Sequence, residues 1–253
     1  MKKVLLLKAV KPGEEGDLYV QALAKENYEV SLCSPISFKF TNLQQLTASL
    51  QQPSKFSGII FSSPRTVQAV EKCLPDLGQD GLPGWKPLTA YCVGQATANS
   101  VRDDLGLNPV GEQSGNAQNL AKIILEGTKA GSKPLLFPCG TLRRETIPDS
   151  LQKAGVDFKA HVVYETIPHP DLEASINQYF EKGMPEFIVF FSPSGVRFSK
   201  EFLTKYAMDK IQLIAIGPTT KTAMEQAGYR VAYTAEKPSP ECLITALQTL
   251  EGT

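Results

Sequence analysis

Short turns rich in Ser, Thr, Gly and Pro follow apolar runs at several places in this 253-residue chain, and they are the first candidates for chemistry. Each run is short enough to be a buried strand, and most of the turns stand where a helix would begin. Helix N-termini present free backbone N–H groups and the positive end of the helix dipole, so they bind anions. A ligand with several carboxylates or phosphates would suit the set, although Ser and Thr can also simply cap their own helices. The turns are Ser62-Ser63-Pro64-Arg65, Gly94-Gln95-Ala96-Thr97, Pro138-Cys139-Gly140-Thr141, Ser192-Pro193-Ser194-Gly195 and Gly217-Pro218-Thr219-Thr220.

Three kinds of side chain near these turns could react or bind charge. Tyr164 ends an alternating strand. A phenol that is protonated at neutral pH can donate a proton, but a tyrosine here could equally pack at a domain hinge. Cys139 could be a nucleophile, yet no His lies near it in sequence, which favours a small packed residue. Arg65, Arg143 and Arg144 could bind carboxylates or lie on a solvated helix surface.

Composition excludes several classes of protein. Lys plus Arg and Asp plus Glu both number 26, so no net charge directs the chain to nucleic acid or to an anionic membrane. Only 2 His and 5 scattered Cys are present, which excludes a metal site built on several imidazoles and argues against a disulfide framework. Nucleotide-binding glycine motifs and the Gly-x-Ser-x-Gly motif are absent. The basic and apolar start is too short for a signal peptide and no stretch is long enough to span a membrane, so we expect a cytoplasmic protein.

The elements that would position the turns form a repeat. Residues 58–65 and 187–195 share an apolar strand, then serine and proline; residues 91–97 and 213–219 share a strand, a Gly and a Thr. Parallel strands that alternate with helices predict an α/β fold with two flavodoxin-like, doubly wound sheets, each of five strands. The alternative to a true duplication is the generic likeness of all strand–helix units.

Two alternating stretches, at 35–40 and 162–170, stand where each module would pass from its second strand to its third. If both cross between domains, the middle of the chain forms one domain and the two ends form the other. We therefore expect a discontinuous domain 1 of residues 1–35 and 171–253, linker strands at 36–41 and 162–170, and a domain 2 of residues 42–161.

Two segments of the middle domain have patterns of their own. A strand is predicted at 134–137, before Pro138, and a helix from about 142 to 154, which Gly155 would close. Residues 75–87 are rich in Gly and Pro, so they predict a loose loop, and this loop carries the single Trp, Trp85.

Six segments in order along the chain resemble the uroporphyrinogen-III synthase family, most closely its animal members. These segments are residues 58–65, 93–97, 135–140, 163–166, 190–195 and 215–220. The resemblance implies two flavodoxin-like domains joined by a two-stranded linker. It also implies a monomer without cofactor or metal that converts hydroxymethylbilane, a linear tetrapyrrole with carboxylates on its rings, to uroporphyrinogen III in haem biosynthesis.

The resemblance also assigns roles to residues. It implies that Tyr164 is the acid of the reaction, with a role in positioning the substrate as the alternative, and that Thr97 and Thr220 occupy the family's threonine positions. Partners expected are the substrate and, transiently, the preceding enzyme of the pathway, with no nucleic acid and no membrane. The competing hypothesis is a non-catalytic two-domain protein that binds a polycarboxylate. The predicted substrate-binding residues are Ser63, Arg65, Thr97, Gly140, Ser192, Ser194, Gly195, Thr219 and Thr220.

Overall fold

The chain divides into two compact α/β units in a computed structural model, which describes residues 1–10, 16–78, 81–143 and 145–252. Unit 1 comprises Met1–Ser37 and Ile167–Thr253, and unit 2 comprises Phe38–Thr166. The chain therefore leaves unit 1 once and returns to it once. The two connecting segments are neighbouring strands, one near each boundary.

Unit 1 is built on a five-stranded parallel sheet with the strand order β11-β10-β9-β1-β2. Read from the β2 edge, with the strands numbered as they follow one another along the chain, this order is second, first, third, fourth, fifth, which is the flavodoxin-like arrangement predicted from the sequence. Its elements are β1 (Lys3–Leu7), α1 (Leu18–Lys25), β2 (Glu29–Cys33), α7 (Leu172–Glu181), β9 (Phe187–Phe190), α8 (Pro193–Leu203), β10 (Gln212–Ala215), α9 (Pro218–Gln226), β11 (Tyr233–Thr234) and α10 (Pro240–Glu251).

Unit 2 has a six-stranded sheet with the order β3-β8-β7-β4-β5-β6. Without β3, the order is again flavodoxin-like if β7 is counted as the first strand, so the two units share one arrangement. Five strands were predicted, and the sixth is the linker strand β3, which joins the sheet beside β8. The elements are β3 (Ile36–Phe40), α2 (Leu43–Leu50), β4 (Gly58–Phe61), α3 (Pro64–Glu71), β5 (Thr89–Cys92), α4 (Gly94–Leu105), β6 (Pro109–Val110), α5 (Ala117–Gly127), β7 (Leu135–Gly140), α6 (Thr146–Lys153) and β8 (Phe158–Pro168).

Central strands are buried on both faces, as their unbroken apolar sequences predict. In β1, Val4 and Leu6 join the apolar cluster that includes residues of α1 and α10. Leu5 and Leu7 join the cluster on the opposite face, with residues of α7 and α8. The alternation follows from the two-residue period of a strand, and it gives each sheet a core on either side.

The strand predicted at 134–137 is longer than expected, since β7 continues through Pro138 to Gly140. Proline is tolerated here because pairing with β4 extends only through Leu136, on the side to which the nitrogen of Pro138 points. Pairing with β8 continues instead, with a bulge between Cys139 and Gly140. The helix predicted from 142 accordingly starts later, at Thr146.

The segment predicted as a loose loop is anchored in the core of unit 2. Trp85 is 2% exposed, stacks on Phe56 and donates a hydrogen bond of 2.8 Å from Nε1 to the carbonyl oxygen of Leu50. Tertiary burial of one large ring therefore fixes the chain around Trp85, although local Gly and Pro content predicts an irregular loop; residues 79–80 of that predicted loop lie outside the described residues. Within the described ranges, no helix has the length and apolar character needed to cross a membrane.

Candidate active site

A cavity of about 310 Å³ lies in unit 2 at the carboxyl ends of β4, β5 and β7, where ligands bind in open parallel sheets. We call it the Tyr164 cavity. Its walls come from the turn after β4, the end of β7, the middle of β8 and the start of α5. They are Ser62, Ser63, Val93, Gly115, Asn116, Ala117, Phe137, Gly140, Leu142, Arg143, Ile147 and Tyr164.

Tyr164 is held by packing against its neighbours in the sheet. Its ring meets Phe38 edge to face, with centroids 6.0 Å apart, and lies directly over Gly140. A Cβ atom at Gly140 would stand 2.5 Å from Cζ and 2.8 Å from the hydroxyl oxygen of Tyr164. Only glycine leaves room for the ring, so Gly140 determines where the phenol stands.

Ser63 is the polar neighbour of that phenol. Its Oγ lies 3.4 Å from the Tyr164 hydroxyl oxygen, longer than an ordinary O–H···O hydrogen bond. Ser63 occupies the N-cap of α3, but its side chain makes no capping bond. In the equivalent turn of unit 1, the Oγ of Ser192 accepts a capping bond of 3.0 Å from the N–H of Gly195. The two copies of the turn thus differ, and the Ser63 hydroxyl is available to a ligand or to Tyr164.

Arg65 stands beside the site. Its guanidinium lies over the ring of Phe38, 4.2 Å from the centroid, and donates a 2.7 Å hydrogen bond to Gln68. Burial lowers the pKa of Arg65, and the nearby Tyr164 opposes that shift. The Arg65 side chain stays cationic because a guanidinium is not deprotonated in proteins. It therefore places positive charge next to the Tyr164 ring.

Arg143 is the cation in the cavity wall itself. It donates hydrogen bonds to Glu145 at 3.2 Å and to the Sγ of Cys139 at 3.3 Å. Burial raises the pKa of the Cys139 thiol, and Arg143 only partly opposes this. Cys139 is fully buried and keeps its proton at neutral pH. The structure therefore favours a small packed residue over a nucleophile at this position. Arg144, the third candidate arginine, lies outside the described residues.

The threonines named from the sequence are mostly inaccessible. Thr97, in the first turn of α4, and Thr220, in the first turn of α9, are each 2% exposed, whereas Thr219 is exposed. Gly94, which begins α4, has φ +74°, a left-handed conformation that favours glycine, and its N–H donates to the Ser114 hydroxyl at 3.3 Å. This bond uses one of the free N–H groups of α4.

In unit 1 the predicted residues gather at the ends of two adjacent strands, β9 and β10. The hydroxyl oxygens of Ser192 and Ser194 are 3.2 Å apart. A Cβ atom at Gly195 would approach both Ser192 Oγ and Pro35 Cγ to 3.1 Å, so this position is tight for any larger residue. Helices α8 and α9 both begin at these strand ends, as predicted, and direct their N-termini to the same edge of the sheet.

Sequence reasoning missed the N-terminus of α5. Gly115, Asn116 and Ala117 line the Tyr164 cavity, and the side chain of Asn116 caps α5 by accepting from the N–H of Asn119 at 2.9 Å. No strand-end turn marks Asn116 as a candidate, because α5 follows a short 3-10 turn and not a strand end. The Gly-Asn pair before an amphipathic run was the signal available.

Across the part of the chain that is described, His, Cys, Asp and Glu side chains form no group of three or more that could hold a metal ion. The chemistry at hand is that of a phenol, a serine hydroxyl, two arginines and helix N-termini.

Fold and site together define a two-domain α/β protein with flavodoxin-like domains joined by two strands. In unit 2, a phenol in a cavity is surrounded by groups that bind anions. The fold alone does not give the activity, since such sheets carry many functions.

Comparison with known proteins gives the family. The model of the family described as Uroporphyrinogen-III synthase HemD matches residues 17–245. The uroporphyrinogen-III synthase of Saccharomyces cerevisiae is 29% identical over 75% of this chain and 74% of its own length. That of Chlorobaculum parvum is 30% identical over 70% of this chain and 73% of its own length. The crystal structure of the uroporphyrinogen-III synthetase from Helicobacter pylori has a TM-score of 0.65 and 18% identity, over 98% of this chain and all of that one.

The chain belongs to the uroporphyrinogen-III synthase family. This confirms the resemblance found in the six sequence segments and the two-domain α/β fold that it implied.

Proposed function

We propose that this protein is a uroporphyrinogen-III synthase, which cyclises hydroxymethylbilane to uroporphyrinogen III with loss of water and inversion of ring D. The family assignment supports the activity. The observation that carries the site is the position of Tyr164, whose phenol faces a cavity together with Arg143 and the N-terminus of α5. The binding-protein alternative would not need a proton donor fixed in this way.

Tyr164 is the proposed general acid. The hydroxymethyl group on ring A is a poor leaving group, and a proton from the phenol converts it to water. Electron push from the pyrrole nitrogen breaks the C–O bond and leaves an electrophilic azafulvene on ring A. General acid catalysis of this kind contributes rate by stabilising the departing oxygen in the transition state.

The remaining steps depend more on how the enzyme orients the reacting rings than on a second proton donor. Ring D attacks the azafulvene carbon through its substituted α-carbon, which forms a spiro intermediate. That intermediate reopens by breaking the bond between ring D and the methylene carbon that links it to ring C. The other α-carbon of ring D then bonds to that methylene carbon, which closes the macrocycle with ring D inverted. A proton is lost as aromaticity returns, and it can restore the phenol. Free bilane tends to close without inversion, so the enzyme must hold the reacting ends in one orientation.

The cavity is at the small end of ligand pockets, so we assign it one pyrrole ring and not the whole tetrapyrrole. Ring A is the natural occupant, because its hydroxymethyl group must reach the Tyr164 hydroxyl. Arg143 and the N–H groups at the start of α5 then bind the carboxylates of that ring. Ser63 lies beside the phenol and orients it, and Arg65 places positive charge next to its ring. Gly140 leaves the space that the ring occupies.

We further propose that unit 1 contributes anion-binding groups for carboxylates of the substrate. We assign this role to the turns after β9 and β10. Exposed Thr219 and the half-buried serines offer hydroxyls, and α8 and α9 offer N–H groups. Thr97 and the equivalent Thr220 would act by setting the first turns of their helices, because both are buried. The residues of unit 1 concerned are Ser192, Ser194, Gly195, Thr219 and Thr220.

The proposal extends to the domain bounds, the oligomeric state and the cellular location of the protein. We assign the domains as residues 1–35 with 171–253, and 42–161, with 36–41 and 162–170 as the linker strands. The observed compact units, which divide within β3 and β8, support this assignment. We further propose a cytosolic monomer that receives its unstable substrate from the preceding enzyme of the pathway by transient contact.

The decisive experiment is a product assay. Hydroxymethylbilane is generated enzymatically in the presence of the protein, the products are oxidised, and type I and type III porphyrins are separated. The proposal predicts type III as the main product, whereas the reaction without the protein yields type I. Type I alone, from folded protein, would reject the synthase; binding of the bilane without type III product would favour a polycarboxylate-binding protein.

A further inference from the structure

A second cavity in unit 2, of about 380 Å³, shares no lining residue with the Tyr164 cavity. It lies between α2 and the first half of β8, and we call it the Ser49 pocket. Among the described residues that line it there is no Asp or Glu. Its polar side chains are Gln45, Ser49, Gln52, Lys55, Lys159 and His161.

Ser49 is the centre of this pocket. It is only 3% exposed, although serine is usually a surface residue and is a weak helix former. Its Oγ lies 2.9 Å from Nε2 of His161 and 3.2 Å from Nζ of Lys159. Lysine can only donate, so Ser49 accepts from Lys159, and its own proton is then free for His161.

His161 fits this arrangement as a neutral imidazole. Burial and then the charge of Lys159 lower its pKa below the ordinary value. A neutral ring accepts from Ser49 at Nε2 and carries its proton on Nδ1. Lys159 keeps two further N–H donors, and no ion pair joins Lys55 or Lys159 to a carboxylate within the described ranges. The pocket thus holds positive charge and hydrogen-bond donors without an anion of its own.

We propose that the Ser49 pocket binds the phosphate group of a small organic molecule. The ammonium groups of Lys55 and Lys159 can donate to a tetrahedral anion, and Ser49, which accepts a hydrogen bond from Lys159, holds that lysine in place. A planar carboxylate is usually recognised by the fork of an arginine, and the described lining contains none. The volume exceeds what inorganic phosphate needs, and Phe56 and Ala48 provide an apolar wall for the organic part.

The two histidines of the chain make a direct test possible. His161 lies in the pocket, and His169 lies in unit 1 and serves as the internal reference. The imidazole C–H signals of the full-length protein are followed by NMR at fixed pH during titration with phenyl phosphate, inorganic phosphate, or sodium chloride of equal ionic strength. We expect a saturable shift of the His161 signal alone, at lower concentration for phenyl phosphate than for inorganic phosphate.

Other outcomes of the titration count against the proposal. An unmoved His161 signal, or equal drift of both signals with every salt, would overturn it. Equal affinity for the two phosphates would overturn the organic ligand and leave a site for the free ion. The measurement needs no enzyme assay, so it stands or falls independently of the synthase activity.

Matched variants separate binding from structure. Lys159→Gln should weaken phenyl phosphate binding by about 10-fold or more, because a charge-assisted contact is lost. Lys122→Gln removes an exposed lysine of α5 outside the pocket and should leave the affinity unchanged. Ser49→Ala should weaken binding with little change in melting temperature. The proposal fails if Lys159→Gln binds phenyl phosphate as tightly as the parent protein does. It also fails if Ser49→Ala lowers stability but not affinity, because the three side chains then only stabilise the fold.

Discussion

Gly140→Ala is the sharpest perturbation of the proposed active site, because it changes one carbon atom and that atom meets the Tyr164 ring. The new Cβ would stand 2.5 Å from Cζ, 2.7 Å from Cε2 and 2.8 Å from the hydroxyl oxygen. Gly140 lies in β7 and is not at a positive φ, so alanine adds no backbone strain. The whole effect is therefore steric and falls on one side chain.

The size of the effect follows from the contact distances. To restore an ordinary contact of 3.4 Å, the ring must move away by about 1 Å. A displacement of about 1 Å in a reacting group can cost on the order of 100-fold in rate. Overpacking of this kind costs about 1–3 kcal/mol of stability. We expect a folded protein that is slightly less stable and turns over on the order of 100-fold more slowly.

The assay is the rate of type III porphyrin formation, together with thermal unfolding of the same preparation. Gly127→Ala is the matched control, because its Cβ would stand 2.6 Å from the hydroxyl oxygen of Tyr91, outside the Tyr164 cavity. It should lose similar stability but keep near-normal turnover. Parental turnover by folded Gly140→Ala would refute the claim that the position of the phenol matters, and a Gly127→Ala protein equally impaired would point to stability as the cause.

The double variant tests whether Gly140 acts through Tyr164. When Tyr164→Phe has already removed the hydroxyl, the further change Gly140→Ala should reduce turnover little more, because both changes disable one group. Independent, multiplying losses would mean that Gly140 contacts the substrate by another route.

Three further outcomes are expected. Tyr164→Phe should lower turnover on the order of 100-fold or more with an unchanged melting temperature, and parental turnover would exclude the acid role. Thr220→Ala, at a buried position in α9, should reduce turnover less than Tyr164→Phe; a folded but inactive protein would reverse that ranking. Asp17→Ala should cost about 1 kcal/mol at neutral pH, because Asp17 caps α1. Burial acts to raise the pKa of Asp17, but hydrogen bonds from Lys8 and two backbone N–H groups outweigh it and lower the pKa. The contribution is thus complete above the unfolded pKa of about 3.9 and is lost as pH falls through the lower folded value. Urea unfolding from pH 7 to 2 should show the parent and the variant converging, and a constant difference would contradict the ion-pair contribution.

Local patterns predicted the architecture because they depend on short-range physics. Buried strands are unbroken apolar runs, and Ser-Pro and Gly-Pro turns begin helices. Helices α3, α4, α8 and α9 begin at the predicted turns, and Ser192 caps α8 through its side chain. The same patterns failed at β7, where Pro138 suggested a strand end but partner strands on either side decided otherwise.

Contacts across the sheet could not be predicted in the same way. Ser63 and Ser192 stand in equivalent Ser-Pro turns, yet the Ser63 hydroxyl makes no cap bond and lies near Tyr164, 101 positions away in sequence. Ser49 and His161 are separated by 112 positions and lie 2.9 Å apart. Neither pair carries a local signal, because what brings its members together is the order and register of strands.

The sequence by itself therefore determined the fold class, the repeated modules, the family and the turns that could bind anions. Each of these depends on residue type and on spacings of a few positions. Only the tertiary structure decided that Gly140 makes room for the Tyr164 ring, that α5 rather than a strand-end turn completes the cavity, and that Arg143 lines it while Cys139 is buried. Those facts depend on which strands pair and in what register, and pairing is set by the packing of the whole domain rather than by any single segment.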